Sequence, residues 1–514
     1  MIPLPLLIIS KTDVIIDKNG MREDLKGWKF HDVIELASKY SEGFKVLVEL
    51  LDDPDSNVRK NALYVIQDLV KNNAIDPERV KLALDKIIKL TKDSEEKVSL
   101  EAIETLNMIL EKVELDQESY EKATNALMGV VKSGVPILSE YAAEGLGSIG
   151  AKIAVIASRI IGKLLSLITG SQRREIKNAA ITALTEMAYK TNNKKTVDKV
   201  VRGLAETLDE SDNYTRKRVF KALERLVTRR DMVSKQTLNL TLKKIEPYLK
   251  DKELKESAEL VRERILKVAQ VDEERGEVVS YKTQLEVDQY SIDDIGTLLD
   301  AGKLEIVAEM ARQSPEVLDR VVDMLNSDDY TLRTDALWIV SKVVPYLGPT
   351  TAYSILPVLG EFLKSKNRWV RNTAAKTLAE IYAQYPGTAH YILSLLDVLL
   401  KSNNSRDIES ALALLKEIND RVVDERILKG SMILMMKLLD RQDVRATVLA
   451  FMAQQAEHLL KLDNETLGAL LEKLKSVYGV EGGKHDEIIA SLVDVIDDIL
   501  KIRQKKAQNG QGTM

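Results

Sequence analysis

The sequence predicts an all-α superhelix of about eleven or twelve helix pairs, and three observations predict it. One short pattern returns every 36 to 40 residues along most of the 514-residue chain. Within each copy, apolar residues recur at helical spacing in two stripes separated by a polar turn. Of all residues, 45% are apolar, 30% charged and only 5% aromatic, with Leu, Ala, Val, Ile, Lys and Glu dominant, which suits helices packed on helices. One helix pair cannot enclose its own apolar faces, so a run of pairs must stack.

Along the chain, residues 1–21 come first, opening on the apolar Met1-Ile-Pro-Leu-Pro-Leu-Leu-Ile-Ile-Ser10. With two prolines, no basic start and no small-residue cleavage site, this is not a signal peptide. Two readings stand: an extended stretch covering the end of the solenoid, or an over-extended start whose true first residue is Met21. The first solenoid segment spans 22–270. Leu47, Leu50 and Leu51 run into Asp52-Asp53-Pro54, which marks a first helix and its stop. Asp, Ser and Asn in the turn supply oxygens for the orphan N–H groups of the next helix. Val58, Ala62, Val65, Ile66 and Leu69 then form its buried stripe. The frame Val58/Ala62 recurs at Val98/Ala102, Leu138/Ala142, Ile176/Ala180, Thr215/Val219 and Leu254/Ala258, and later at Leu332/Ala336, Val370/Ala374, Ile408/Leu412 and Val444/Val448. Between the two series, residues 271–289 lack a helical stripe and read as an irregular or extended connector. Ser291-Ile-Asp-Asp294 restarts the helices as a capping box, the second solenoid segment covers 290–506, and 507–514 are a polar tail.

The units carry an Asp in the turn, a Val-Arg pair opening the second helix and a small residue four positions after the Val. With these residues the chain resembles the HEAT-repeat family of armadillo-like α-solenoids over nearly all of 29–502. Asp53, Val58, Arg59 and Ala62 match in full. Leu332-Arg333 with Ala336, and Val370-Arg371 with Ala374, match except that Ser327 and Ser365 replace the Asp. Pro357 falls where the family kinks its first helix. Ser99 replaces the Arg, and Val219 and Val448 the small residue, so the array is diverged and fits no subfamily. The resemblance implies a non-catalytic scaffold that binds protein partners through the concave surface lined by its second helices.

The absence of cysteine excludes disulfides, thiolate metal sites and a cysteine nucleophile, and points to the reducing cytoplasm. Abundant Lys and Glu beside zero Cys is also a thermophile's composition. No window reaches the ~18 apolar residues of a membrane span. Gly145-Leu-Gly147-Ser-Ile-Gly150 satisfies a dinucleotide-binding pattern, but it lies in a second helix and reads as close helix packing and a C-cap. Gly479 to His485 imitates a phosphate loop, yet Tyr478 stands at the first glycine and His485 at the magnesium-binding Ser or Thr, so it reads as a helix connection. His31, His390, His458 and His485 form no ligand pair, so neither a metal nor a cofactor is expected. Some HEAT-type proteins are DNA glycosylases; no pattern here selects their Trp and Asp residues, and that enzyme reading ranks last.

Charge is uneven. Residues 171–250 hold 19 basic and 10 acidic residues, a net +9 within a chain of net −5. Arg218, Lys221, Arg225 and Arg229 form one helical stripe, about a quarter turn from the apolar Val219, Ala222, Leu223 and Leu226. A basic stripe that is exposed, or exposed at an inter-repeat edge, is therefore expected, extended by Arg173, Arg174, Lys177, Lys194, Lys195, Lys199, Lys243 and Lys244. Either it pairs with neighbouring Glu206, Asp209, Glu210 and Glu224, or it docks an acidic partner, protein or nucleic-acid phosphate. An overall pI of about 5.8 ranks a nucleic-acid scaffold second. Trp338 reads as core. Trp369, between Arg368 and Val370 and near Arg371, reads as turn packing or as an exposed interface anchor.

Overall fold

Helices begin where the sequence places a capping side chain. Asp17, Asp55, Asp76, Asp116, Asn193, Asp212, Ser234, Asp329, Asn367, Asn404 and Asp463 each accept a hydrogen bond from a backbone N–H two or three residues on. A computed structural model of the chain describes residues 16–171, 173–272, 276–282, 286–422 and 424–510. Two compact units result, Met1–Thr283 and Gln284–Met514.

In the first unit, α1 (Lys18–Lys26) and α2 (Phe30–Lys39) precede six pairs. These are α3 (Ser41–Glu49, extended by a 3₁₀ turn to Asp52) with α4 (Ser56–Lys71), α5 (Pro77–Leu90) with α6 (Glu96–Lys112), and α7 (Gln117–Ser133) with α8 (Pro136–Lys152). Then come α9 (Ala154–Gly170) with α10 (Arg174–Lys190), α11 (Lys194–Thr207) with α12 (Asn213–Val227), and α13 (Lys235–Ile245) with α14 (Lys255–Val268). Second helices stack on second helices, α4 on α6, α6 on α8, α8 on α10, α10 on α12 and α12 on α14. After α14, β1 (Ala269–Asp272) and β2 (Glu277–Tyr281) pair antiparallel, with an irregularity between Gln270 and Val271. The ladder leans on α13, where Lys235 Nζ donates to Val279 O at 2.9 Å and Asn239 Oδ1 accepts from Val278 N at 2.6 Å.

The second unit repeats the arrangement. It pairs α15 (Ile295–Asp300) with α16 (Leu304–Gln313), α17 (Pro315–Met324) with α18 (Tyr330–Val343), and the broken first helix α19 (Pro349–Ser354) and α20 (Leu356–Phe362) with α21 (Arg368–Gln384). Pro357 stands in the first turn of α20, just past that break, since its ring cannot continue the preceding helix. The remaining pairs are α22 (Ala389–Leu400) with α23 (Ser405–Arg421), α24 (Glu425–Leu438) with α25 (Gln442–Gln454), and α26 (Asn464–Val477) with α27 (Asp486–Gly510).

Most of the periodic frame lies in the core, Ile176 and Leu332 being half-buried. Val58, Ala62, Val98, Ala102, Ala142, Ala180, Val219, Ala258, Ala336, Val370, Ala374, Ile408 and Val448 have no solvent exposure. The valines that replace the small residue, Val219 and Val448, pack as tightly as the alanines. Ser291 and Asp294 form the expected capping box. Trp338 is half-buried, not core, with Lys342 Nζ 5.3 Å from its ring centre.

Three details differ from expectation. Gly150 is no C-cap, because α8 continues to Lys152; the three glycines are instead points of close approach. A β-carbon at 145 would lie 2.2 Å from Asn107 Oδ1, one at 147 would lie 2.5 Å from Glu186 Cβ, and one at 150 would lie 2.4 Å from Met187 Cε. Residues 507–510, expected as polar tail, belong to α27, while 511–514 lie outside the described residues. Of the apolar start, 1–15 lie outside the described residues, and Met21 is a buried residue inside α1. The segment resembling a phosphate loop joins α26 to α27, with Gly479, Gly482 and Gly483 at φ of 76°, 69° and 80°.

Candidate interaction surface

In seven of the ten frame repeats the residue after the frame position plays the same part. Its side chain reaches back to carbonyls at or just past the end of the first helix of its own repeat. Arg59 Nη1 donates to Asp53 O and Pro54 O, Ser99 Oγ to Asp93 O, and Ser139 Oγ to Val130 O. Arg216 Nε donates to Leu208 O, Arg333 Nε to Leu325 O, Arg371 Nη1 to Ser365 O and Lys366 O, and Arg445 Nε to Leu439 O. The last carbonyls of a helix have no intrahelical partner and carry its negative dipole end, so a cation or hydroxyl suits them. Arg59 also holds the next repeat, its Nε and Nη2 each 2.8 Å from the Asp93 carboxylate, and Lys177 holds Asp212 at 2.8 Å.

The stripe of Arg218, Lys221, Arg225 and Arg229 is not exposed, which corrects the sequence expectation. Arg218 and Arg225 are buried, and Lys221 and Arg229 half-buried. A second helix in a stack has a neighbour on each flank, so a quarter turn from the core faces the next helix instead of water. Arg225 Nη1 donates to Glu186 Oε1 at 2.5 Å, and its guanidinium lies 3.9 Å over the Tyr189 ring. Arg229 reaches Ala188 O and, at 2.7 Å, Thr191 O; burial lowers its pKa. Of the acidic neighbours expected to neutralise the stripe, Glu224 meets Arg264 at 3.2 Å and Asp209 meets Lys244.

Nearby basic residues divide. Arg173 is exposed yet donates to Ser133 O and Gly134 O at 2.7 and 2.8 Å, and Arg174 stacks 4.8 Å over Tyr214. Lys194, Lys195 and Lys199 stand exposed along α11, and Lys243 on α13. In the second unit Trp369 is 47% exposed in the first turn of α21, while Arg371 beside it is buried. Arg368, the other neighbour of Trp369, is exposed.

Sequence reasoning missed a carboxylate-rich patch on the second helices α6 and α8. Glu104, beside Glu101, faces Tyr141, which stands among Glu104, Glu140 and Glu144. Burial and the charge of Glu101 push the Glu104 carboxyl up to about 7, and burial beside Glu104 and Glu144 pushes the Tyr141 hydroxyl up. Lys190 of α10 continues the row, 3.5 Å from Glu144 and 3.6 Å from Glu186. Helical offsets on α6 and α8 show each carboxylate on a polar face; only the stacking of the two helices places them side by side. Also unforeseen is an aromatic run in which Trp28, at φ 61° and 68% exposed, lies 5.5 Å from Phe30, itself 5.0 Å from Tyr64. Among the described residues no three His, Asp or Glu side chains are placed to hold a metal ion, and no helix is long and apolar enough to cross a membrane.

In comparison with known proteins, the family described as HEAT repeat matches residues 44–72, which is α3, its turn and α4. Solved structures that resemble the chain include an archaeal HEAT-like repeats protein from Thermococcus onnurineus NA1, 16% identical, with a TM-score of 0.36 over 49% of this chain and 99% of that one. Another is the karyopherin Kap121p bound to the SUMO protease Ulp1p, 15% identical, with a TM-score of 0.33 over 90% of this chain and 44% of the karyopherin. An engineered protein is 19% identical, with a TM-score of 0.29 over 79% and 97%. No curated protein matches the sequence significantly.

Proposed function

We propose that this chain, a diverged HEAT-repeat protein of no assigned subfamily, is a non-catalytic scaffold that binds a protein partner along the second helices of its first unit. The observation that carries the reading is the polar row across α6, α8 and α10, from Glu101 and Glu104 through Glu144 to Lys190. Half-buried carboxylates kept partly dehydrated gain from a cationic partner group, which would return Glu104 to its charged form. On this reading the row lies on the concave surface that second helices line in this family, and the protein works in the cytoplasm.

The test is capture of partners from the native cell with wild-type chain, with Glu104→Lys/Glu144→Lys, and with Lys163→Glu on the exposed face of α9. The expected result is a protein retained by the wild type and by Lys163→Glu and lost with the double variant. Identical partners in all three would overturn the placement.

A second reading keeps some support from the exposed Lys194, Lys195 and Lys199, which suit an acidic protein or nucleic-acid phosphate. Binding of a DNA or RNA duplex that weakens steeply with salt, and again on reversal of those lysines to Glu, would favour it. Salt-insensitive or absent binding would remove it.

A further inference from the structure

The second unit starts with α15, six residues long and continuous with the 3₁₀ turn Ile292–Asp294 before it. Between this segment, α17 and the start of α18 lies a groove of about 900 Å³. Pockets of roughly 300–1,000 Å³ accept ligands and partner side chains. Ile292, Ile295, Leu299, Met324 and Leu332 give it an apolar part, and Ile292 remains 43% exposed.

Its charged lining is acidic. Asp293, Asp300, Asp329 and Asp335 line it, against the single cation Arg320. Asp329 caps α18 by accepting from Leu332 N at 3.0 Å. The turn aspartates of the first unit have cations, as Asp53 has Arg22, Asp93 has Arg59 and Asp212 has Lys177. Asp335 has no ion pair among the described residues, and burial next to Asp329 raises its pKa. The surrounding stretch 286–335 holds 13 acidic and 4 basic residues. That charge repels nucleic acid and anionic lipid.

We propose that this groove docks a basic amphipathic helix of a partner protein, its leucine-like face on Leu299 and Leu332 and its Lys or Arg side chains on Asp293, Asp300 and Asp335. A helix is the occupant because the lining sets apolar side chains among carboxylates, which matches one apolar and one basic face. The assignment is independent of the row on α6, α8 and α10, so either can fail alone.

The test is fluorescence anisotropy of the full chain with a labelled 18-residue peptide of leucine and lysine at helical spacing. Two further peptides serve as controls, one of the same composition scrambled to remove the apolar face and one with glutamate for lysine. The expected result is binding of the first peptide alone, weakened at least tenfold by Asp300→Asn/Asp335→Asn. Glu256→Gln/Glu263→Gln on α14, which removes the same charge elsewhere, should leave it unchanged. Circular dichroism of both variants reports whether they remain folded. Equal binding of the scrambled peptide, equal weakening by both double variants, or no binding would overturn the proposal. Sedimentation adds one more outcome: self-association lost with Asp300→Asn/Asp335→Asn would make a second copy the occupant and overturn the partner helix.

Discussion

Two glutamates occupy the same place in their repeats, and the ion pairs they make differ in depth. Glu186 on α10 and Glu380 on α21 each stand ten residues after the frame position, Ile176 or Val370. Each accepts from an arginine of the next second helix, Arg225 at 2.5 Å, ten residues after Thr215, and Arg421 at 2.9 Å, thirteen after Ile408. The Glu186 and Arg225 side chains are 1% and 2% exposed, whereas those of Glu380 and Arg421 are 23% and 20% exposed. The place of the arginine differs, and so does one residue of the preceding helix. Gly147, nine positions into its frame, lets α10 approach so closely that a β-carbon there would meet Glu186 Cβ at 2.5 Å and Met187 N at 3.1 Å. The equivalent residue in the second unit is Ser341, which has a β-carbon. A close approach at Gly147 thus goes with the buried pair, and a side chain at Ser341 with the pair at the edge of solvent.

Truncating the two pairs gives the largest expected contrast. Glu186→Ala removes a counter-charge from the buried Arg225 and should cost about 3–5 kcal/mol, as broken buried pairs do. Glu380→Ala, where water can reach Arg421, should cost roughly 0–1 kcal/mol. Repeat arrays open locally, so the measurement is amide hydrogen exchange in α10 and α12 against α21 and α23. Equal losses at both sites would show that burial is not what separates them.

Gly147→Ser moves the second unit's residue into the first. The added atoms meet the Met187 backbone as well as a side chain, so α10 must shift, at a cost of about 1–3 kcal/mol. Hydrogen exchange should speed up in α8 and α10, and Arg225 should become accessible to a guanidinium-modifying reagent. An unchanged Arg225 would detach the glycine from the depth of the pair.

These glycines show where sequence reading stops. The fold was legible because it rests on periodicity: Val58, Ala62, Val370 and Ala374 announce themselves by spacing alone. That Gly145, Gly147 and Gly150 serve helix packing was legible too, since a second helix surrounds them. The direction of the basic stripe was not. Its angle from the apolar face is fixed by sequence, but whether that angle meets water or α10 depends on both neighbours in the stack. The Glu104 and Glu144 patch stayed hidden for the same reason, its members being forty residues apart on different helices.

The turn aspartate extends the comparison. Asp93 Oδ1 accepts from Glu95 N at 2.9 Å, and Ser365 Oγ accepts from Asn367 N at 3.2 Å, so both close the turn. Only the carboxylate also holds the arginine of the preceding repeat. Asp93→Ser should keep the turn and lose the Arg59 pair, at about 1.5 kcal/mol, because Arg59 retains its carbonyl partners. Burial opposes ionisation of Asp93, but the hydrogen bonds from Arg59 and Glu95 N outweigh it and hold its pKa below the usual aspartate value. A depressed carboxylate stabilises above its unfolded pKa of about 3.9 and stops doing so as pH falls through the folded value. The gap between wild type and Asp93→Ser should therefore be constant near neutrality and close in acid. A gap that persists at pH 2 would assign the loss to the turn.

The reverse exchange, Ser365→Asp, carries the smallest effect. Arg333 already donates to Leu325 O at 3.1 Å and stacks 5.0 Å from the Phe362 ring, so an introduced carboxylate must draw it from contacts it has. The new pair would join α18 to the turn before α21, as Arg59 joins α4 to the turn before α6, and should add at most about 1 kcal/mol. Urea unfolding and exchange in α18 measure it, and the gain should vanish below pH 3, where the carboxylate protonates. A gain that survives acid would come from the turn alone, and a loss would mean that Arg333 is committed to Phe362.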